Sequence, residues 1–142
     1  MKTSLIILLI NVLGYVNHSS IHDDNYTEAM AKQIQTVYSA QSIEALQDAV
    51  NAFERIAISE KSKWEPYYYA GFGYLMMANL EKDGRKKDSY LDQAASVIKE
   101  ASAIKANDSE IVALEGFVHM LRITVDPATR GQQYSGLAMQ TF

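Results

Sequence analysis

His119 and Glu115 stand four residues apart, a spacing that puts an imidazole and a carboxylate on one helix face, where a proton could pass between them. No nucleophile and no third, orienting residue accompanies the pair. A solvated or interhelical polar contact therefore accounts for it more simply. The other group of ligand-type side chains is His18, His22, Asp23 and Asp24. A flexible leader explains that clustering; cleavage after Ser19 would instead leave Ser20-Ile21-His22, whose free amine, two amides and imidazole can hold Cu(II) in a square plane. There is no glycine-rich phosphate loop, no H-E-x-x-H and no G-x-S-x-G. The chain has no cysteine, which excludes disulfides, thiolate zinc sites and cysteine nucleophiles together. Asn17, Asn25 and Asn107 each begin an N-x-S/T triplet, to which no role is assigned. No enzyme activity, metal or cofactor is expected.

Binding is the remaining class, and composition narrows it. The 142 residues are 48% apolar and 21% charged, enough to build one core. A formal charge of -4 argues against a nucleic-acid partner, because phosphate contacts need a clustered basic surface. The one basic run, Lys82 to Lys87, is interrupted by Asp83 and followed by Asp88, which predicts a solvated loop.

The chain opens MKTSLIILLINVLGYVNHSS: a lysine, an apolar run from Leu5 to Val16 broken by Asn11 and Gly14, then small polar residues. That is the order of a secretory signal peptide over 1–20. The run is shorter than the ~20 apolar residues that span a bilayer, so no integral span is expected in the mature chain, which is predicted to be secreted or periplasmic.

Residues 24–142 carry helical punctuation and no strand alternation, which predicts an all-α domain. Asn25-Tyr26-Thr27-Glu28 resembles a capping box for a helix from Thr27 to Tyr38. Ser42 can cap a second helix with Leu46, Ala49, Val50, Phe53 and Ile56 as its buried stripe. Ser62 to Glu65 is a further box, with Pro66 in the first turn of a third helix reaching Leu80. Asp83-Gly84 ends that helix, and a polar loop through Asp88 leads to a fourth whose stripe is Leu91, Ala94, Val97, Ile98, Ala101 and Ile104. Asn107 to Glu110 opens a fifth, which Asp126-Pro127 closes. A sixth is expected to start near Gln132. The helices pair as antiparallel hairpins over about 27–60, 62–106 and 108–142.

The hairpins repeat. Tyr90, Ala94 and Ile98 match Tyr134, Ala138 and Phe142 at an offset of 44, while Gly71 and Phe72 match Gly116 and Phe117 at 45. Such a period marks stacked units, none of which buries its apolar face alone. Tyr67, Ala70, Gly71 and Tyr74 stand where the tetratricopeptide repeat has its W..LG..Y residues, and Ala94, Ile98 and Ala101 match its A...F..A series. The chain thus resembles that family over about Thr27 to Phe142, and resembles small exported bacterial proteins with degenerate repeats of this type. The units exceed the family's ~34 residues by about ten, which the EKDGRKKDS and DPATRGQQ segments would absorb as loops. In the third unit Glu115 and His119 replace a core leucine and an aromatic.

Gly71 and Gly116 each cost about 1 kcal/mol inside a helix relative to alanine. A close helix crossing justifies that cost, with Ala94 and Ala138 as the expected small neighbours and Tyr67 and Tyr74 filling the wedges beside Gly71. The resemblance further implies that Glu65, Tyr68, Tyr69, Phe72 and Met76, with Leu114, Phe117 and Leu121, line the inner groove of a superhelix. A covering helix, including the first one, is the competing explanation for so apolar a stripe. The family's clamp for a C-terminal carboxylate needs lysines and asparagines where this chain has Tyr68, Phe72 and Leu114, so that specificity is not expected. The expected function is a non-catalytic scaffold for a protein or peptide partner. A small-molecule or cell-envelope sensor using the same aromatic groove is the alternative. The uncapped last helix is expected to continue into a longer repeat protein, of which this chain would be a piece, with end-to-end self-association as the other way of covering it.

Overall fold

The computed structural model describes residues 18–141, with side chains from Asp24 onward. The leader predicted over 1–20 falls outside the described residues except for its last three. Phe142 and the side chains of His18, His22 and Asp23 also lie outside.

Six helices make up the described chain, with no strand among the described residues: α1 His18–Ser39, α2 Ile43–Ser59, α3 Glu65–Leu80, α4 Gly84–Ile104, α5 Ser109–Val125 and α6 Pro127–Thr141. Each helix packs on the next in sequence, most extensively α3 on α4 and α2 on α3. Beyond these neighbours the odd helices touch one another, α1 with α3 and α3 with α5, whereas the backbones of the even helices lie farther apart, α4 and α6 being joined through the long Arg130–Asp88 side-chain pair. Antiparallel hairpins that contact only adjacent hairpins form a stack, with the odd helices as one continuous layer. A bundle around a single centre would bring α1 against α5 or α6, and the two ends of the chain do not meet in that way.

The core follows the predicted stripes. Leu46, Ala49, Val50 and Phe53 of α2 and Leu91, Ala94, Ile98 and Ala101 of α4 are buried, Ile56 and Val97 are half-buried, and Ile104, expected in the α4 stripe, is exposed because it sits at the last residue of the helix. α3 differs from its neighbours: Ala70, Gly71, Gly73, Tyr74, Leu75, Met77 and Ala78 are buried on several sides of the helix, because it is packed between α2 and α4 and against α1 and α5. A helix apolar around most of its circumference is one enclosed by others.

Several local expectations give way to the structure. α1 begins well before Thr27, so the Asn25 to Glu28 box is absorbed into helix interior and caps nothing. Ser42 caps α2 as expected, its hydroxyl accepting from Ala45 N–H at 3.2 Å. Ser62 caps no helix. α3 starts at Glu65 with Trp64 at its N-cap and no side-chain cap bond, and Pro66 removes one of the N–H groups that a cap would have had to satisfy.

The largest correction concerns the two segments predicted as loops. Asp83 stops nothing; its carboxylate accepts from Lys86 N–H at 3.0 Å and starts α4 at Gly84. Asp126 similarly accepts from Thr129 N–H at 3.3 Å, and Pro127 opens α6 five residues before the predicted start. The extra length of each unit therefore extends the second helix of the hairpin, and the turns shrink to 81–83 and 126. Asp108 caps α5 through Glu110 N–H and Ile111 N–H, while Asn107 adopts a φ of 58°, a conformation that asparagine tolerates better than most residues.

Gly71 lies at a close crossing as expected, with a different neighbour. A Cβ there would meet Ile98 Cγ1 at 2.8 Å and Val97 Cγ2 at 3.4 Å, so the β-branched pair, and not Ala94, presses on it. Gly73, which the sequence pattern did not single out, faces the other side: its Cβ would collide with Val50 of α2. The dipeptide repeat in AGFG thus gives α3 one flat contact for each hairpin. Tyr74 is buried between them and donates its hydroxyl to Glu54 Oε1 of α2 at 2.8 Å.

Candidate functional site

The layer of odd helices gathers most of the large rings. Tyr38, at the end of α1, packs on Phe72 of α3 with ring centroids 5.5 Å apart and an interplanar angle of 43°. Tyr69 stacks on Phe53 of α2 at 5.6 Å, Tyr68 meets Tyr69 edge to face at 5.1 Å, and Trp64 meets Tyr68 at 5.7 Å. Offset and edge-to-face geometries of this kind are the favoured ones for aromatic pairs. Phe53 is fully buried, so Tyr69 roots the cluster in the core.

Exposure divides the predicted groove residues. Phe117 and Met120 of α5 are 49% and 47% exposed, and Tyr38 of α1 is 66% exposed. Glu65, Tyr68, Tyr69, Phe72, Met76 and Leu121 are half-buried. Leu114, at 3% exposure, sits in the core with Ile111 and Val118. Of the packing set, Ala70, Tyr74, Ala94, Ile98 and Ala101 are buried, as are Gly71 and Gly116, and Tyr67 is half-buried. Tyr38 was missed in the sequence because the internal matches reach back to Ala49 and Phe53 of α2 and not into α1; its one signal was an aromatic at the C-terminal end of a polar helix.

The electrostatics of this face are set by carboxylates at the N-terminal ends of α3 and α5. Burial, aided by the neighbouring Glu110 and Asp108 carboxylates, pushes the Tyr68 phenol up to about 12. Tyr69 is raised by burial, by the Tyr38 phenol beside it and by Glu110 and Glu65. Tyr26 of α1 is raised by burial and by the Glu65 charge. Glu65 Oε2 and the Tyr26 hydroxyl are both buried and neither makes a hydrogen bond of good geometry. Two lysines lie on ring faces along this edge: Lys63 Nζ is 4.9 Å from the Tyr26 centroid and Lys105 Nζ is 4.4 Å from Trp64. Lys105 is also paired with Asp108 at 2.8 Å, an ion pair that lowers the aspartate and raises the lysine.

A second polar cluster joins α4, α5 and α6. Arg130 donates from both terminal nitrogens to Asp88, at 2.6 and 2.9 Å, and Arg122 donates to Asp92 at 2.6 Å. The Arg122 guanidinium lies 5.8 Å from the Tyr134 centroid, and His119 stacks on the same ring at 6.1 Å. No hydrogen bond or ion pair joins His119 to the exposed Glu115, so the two groups singled out for proton transfer are not brought together; His119 Nδ1 is buried without a partner. This cluster ties the last hairpin to α4. Sequence does not reveal it, because the punctuation around Asp88 and Arg130 predicts loops at both.

Among the described residues no group of three ligand-type side chains converges on a point that could hold a metal ion. An open depression of about 250 Å³ between α1 and α2 is lined by Tyr26, Ala29, Ile56 and Glu60 among others. No helix among the described residues is long and apolar enough to cross a membrane. Compared with known proteins, the chain matches no family model, no curated protein and no solved structure.

Proposed function

We propose that this chain is a non-catalytic scaffold of the tetratricopeptide-like kind that binds a protein or peptide partner along its layer of odd helices. The observation that supports this most directly is the exposure of Tyr38, Phe117 and Met120 on that layer, beside a ring cluster anchored in the core. Large apolar side chains left exposed on one layer of a rigid surface are a common basis of recognition, and aromatics with methionine suit an adaptable one. The apolar leader in the sequence supports action outside the cytoplasm.

A random-sequence peptide array probed with the labelled full chain tests the proposal. Binding should fall at least about tenfold in the Tyr38→Ala Phe117→Ala double variant, because exposed anchors are removed, while its circular dichroism and melting stay close to the parent. Undiminished binding by the double variant would remove the odd-helix layer from consideration.

A further inference from the structure

α6 is held to the stack differently from α2 to α5. Of its described residues only Ala138 is buried, whereas α2 buries five residues, α3 eight and α5 four. Its larger aliphatic side chains, Leu137 and Met139, are 37% and 81% exposed, so burial contributes little to its docking. Gly131 and Gly136 each weaken the helix relative to alanine. A Cβ at either would meet nothing within 4 Å, so no close crossing requires them. This is the reverse of Gly71 and Gly73 in α3, where the missing side chain makes room for Ile98 and Val50.

What joins α6 to the rest is polar and aromatic. Arg130 donates from both terminal nitrogens to Asp88 of α4, at 2.6 and 2.9 Å. The Tyr134 ring lies 6.1 Å from the His119 ring and 5.8 Å from the Arg122 guanidinium, both on α5. Arg122 is itself drawn toward α4 by Asp92 at 2.6 Å and Asp88 at 3.9 Å. The Arg130 and Asp88 side chains are 29% and 26% exposed, open enough for salt to screen the pair. His119, stacked on Tyr134, has its Nδ1 buried without a partner, a cost that the docked arrangement carries.

A detached α6 does not survive as a helix. Its 15 residues, two of them glycine, fall at the length where isolated helices are marginal in water. Detachment and melting are therefore one event, hinged at Asp126 and Pro127. The packing left behind, α3 between α2 and α4 and against α1 and α5, does not involve α6.

We propose that α6 is a salt-sensitive strap, which leaves α4 and α5 as one unit at a free energy well below that of the whole fold while α1 to α5 stay packed. Docked, it covers the Tyr134-facing side of His119 and Arg122 on α5; released, it opens that side to solvent and frees the Asp88 carboxylate from Arg130.

Amide hydrogen exchange of the full chain near neutral pH, read residue by residue by NMR, tests this. Amides of 131–139 should exchange at least about a hundredfold faster than those of the buried core residues Val50, Tyr74 and Met77, and should agree among themselves within about threefold. Raising sodium chloride from about 0.05 M to about 0.5 M should speed exchange in α6 about threefold. Asp88→Asn should speed it about fivefold. Gly131→Ala Gly136→Ala, which favours the helix without meeting a neighbour, should slow it about fivefold. Equal protection in α6 and α3 would overturn the strap, because α6 would then open only with the whole fold. Rates that climb steadily toward Thr141, as in fraying, would overturn it too, as would α6 exchange unmoved by salt or by Asp88→Asn.

Discussion

Gly73 of α3 lies directly beneath Val50 of α2, so close that any β-carbon at that position would collide with the valine methyl group. Two residues earlier, Gly71 makes the matching contact with Ile98 of α4. Val50 and Ile98 are both buried and stiff at χ1, so neither yields easily. The middle helix of the stack is therefore pinned on two sides by the absence of side chains, and this fixes how the first hairpin sits on the second.

Alanine substitutions should separate these contacts from ordinary helix propensity. Gly73→Ala is expected to destabilise by about 2 kcal/mol and Gly71→Ala by about 1 kcal/mol, overpacking outweighing the gain in helix propensity. Gly136→Ala, where a Cβ meets nothing within 4 Å, should stabilise by about 0.5 kcal/mol. Urea unfolding monitored by circular dichroism checks the order.

What the sequence disclosed and what it hid follow one physical division. The stripes of α2 and α4 were legible because an amphipathic helix must repeat its apolar residues at the helical period. The start of α4 was not, because an Asp-Gly pair serves equally to end one helix and to cap the next; only the bond from Lys86 N–H to Asp83 decides it. The Gly71 crossing was visible as an internal match, yet its neighbour was misjudged, since the sequence indicates the face of a helix and not the depth at which Ile98 meets it. Leu114 was placed in the groove by resemblance and is core. Tyr38 was not placed at all, because no repeat register extended into α1.

Tyr74→Phe should cost about 1 kcal/mol by deleting the hydroxyl bond to Glu54 inside the α2–α3 interface. Burial and the Glu54 carboxylate push this phenol up to about 12, above the ~10 of an unfolded tyrosine. Folding therefore gains from the protonated phenol below pH ~10, and that gain is lost as pH rises through the folded value. Absorbance titration at the phenolate band should show Tyr74 and Tyr68 ionising late or together with unfolding. A parent chain whose tyrosines all titrate near pH ~10 while still folded would contradict this.

The Asp88–Arg130 pair carries an acid-side prediction of opposite sign. The Arg130 guanidinium, bonded to both carboxylate oxygens, holds Asp88 below the usual aspartate range, with Arg122 adding to the effect. A depressed folded value means that the pair's stabilisation is complete above the unfolded pKa of ~3.9 and disappears as pH falls through the lower, folded one. Both groups are partly solvated, so the contribution is about 1 kcal/mol. Asp88→Asn should lower stability by that amount at pH 7 and flatten the acid limb of the stability curve. Arg130→Lys should recover only part of it, because lysine cannot make the two-pronged contact.

Chemical-shift mapping in a uniformly labelled chain tests the central claim most directly, using the best array peptide as titrant. Perturbations should concentrate on Tyr38, Tyr68, Phe72, Phe117 and Met120 of α1, α3 and α5, with the outer residues of α2, α4 and α6 unmoved. Perturbations centred on the even helices, or on the Asp88–Arg130 cluster, would contradict it.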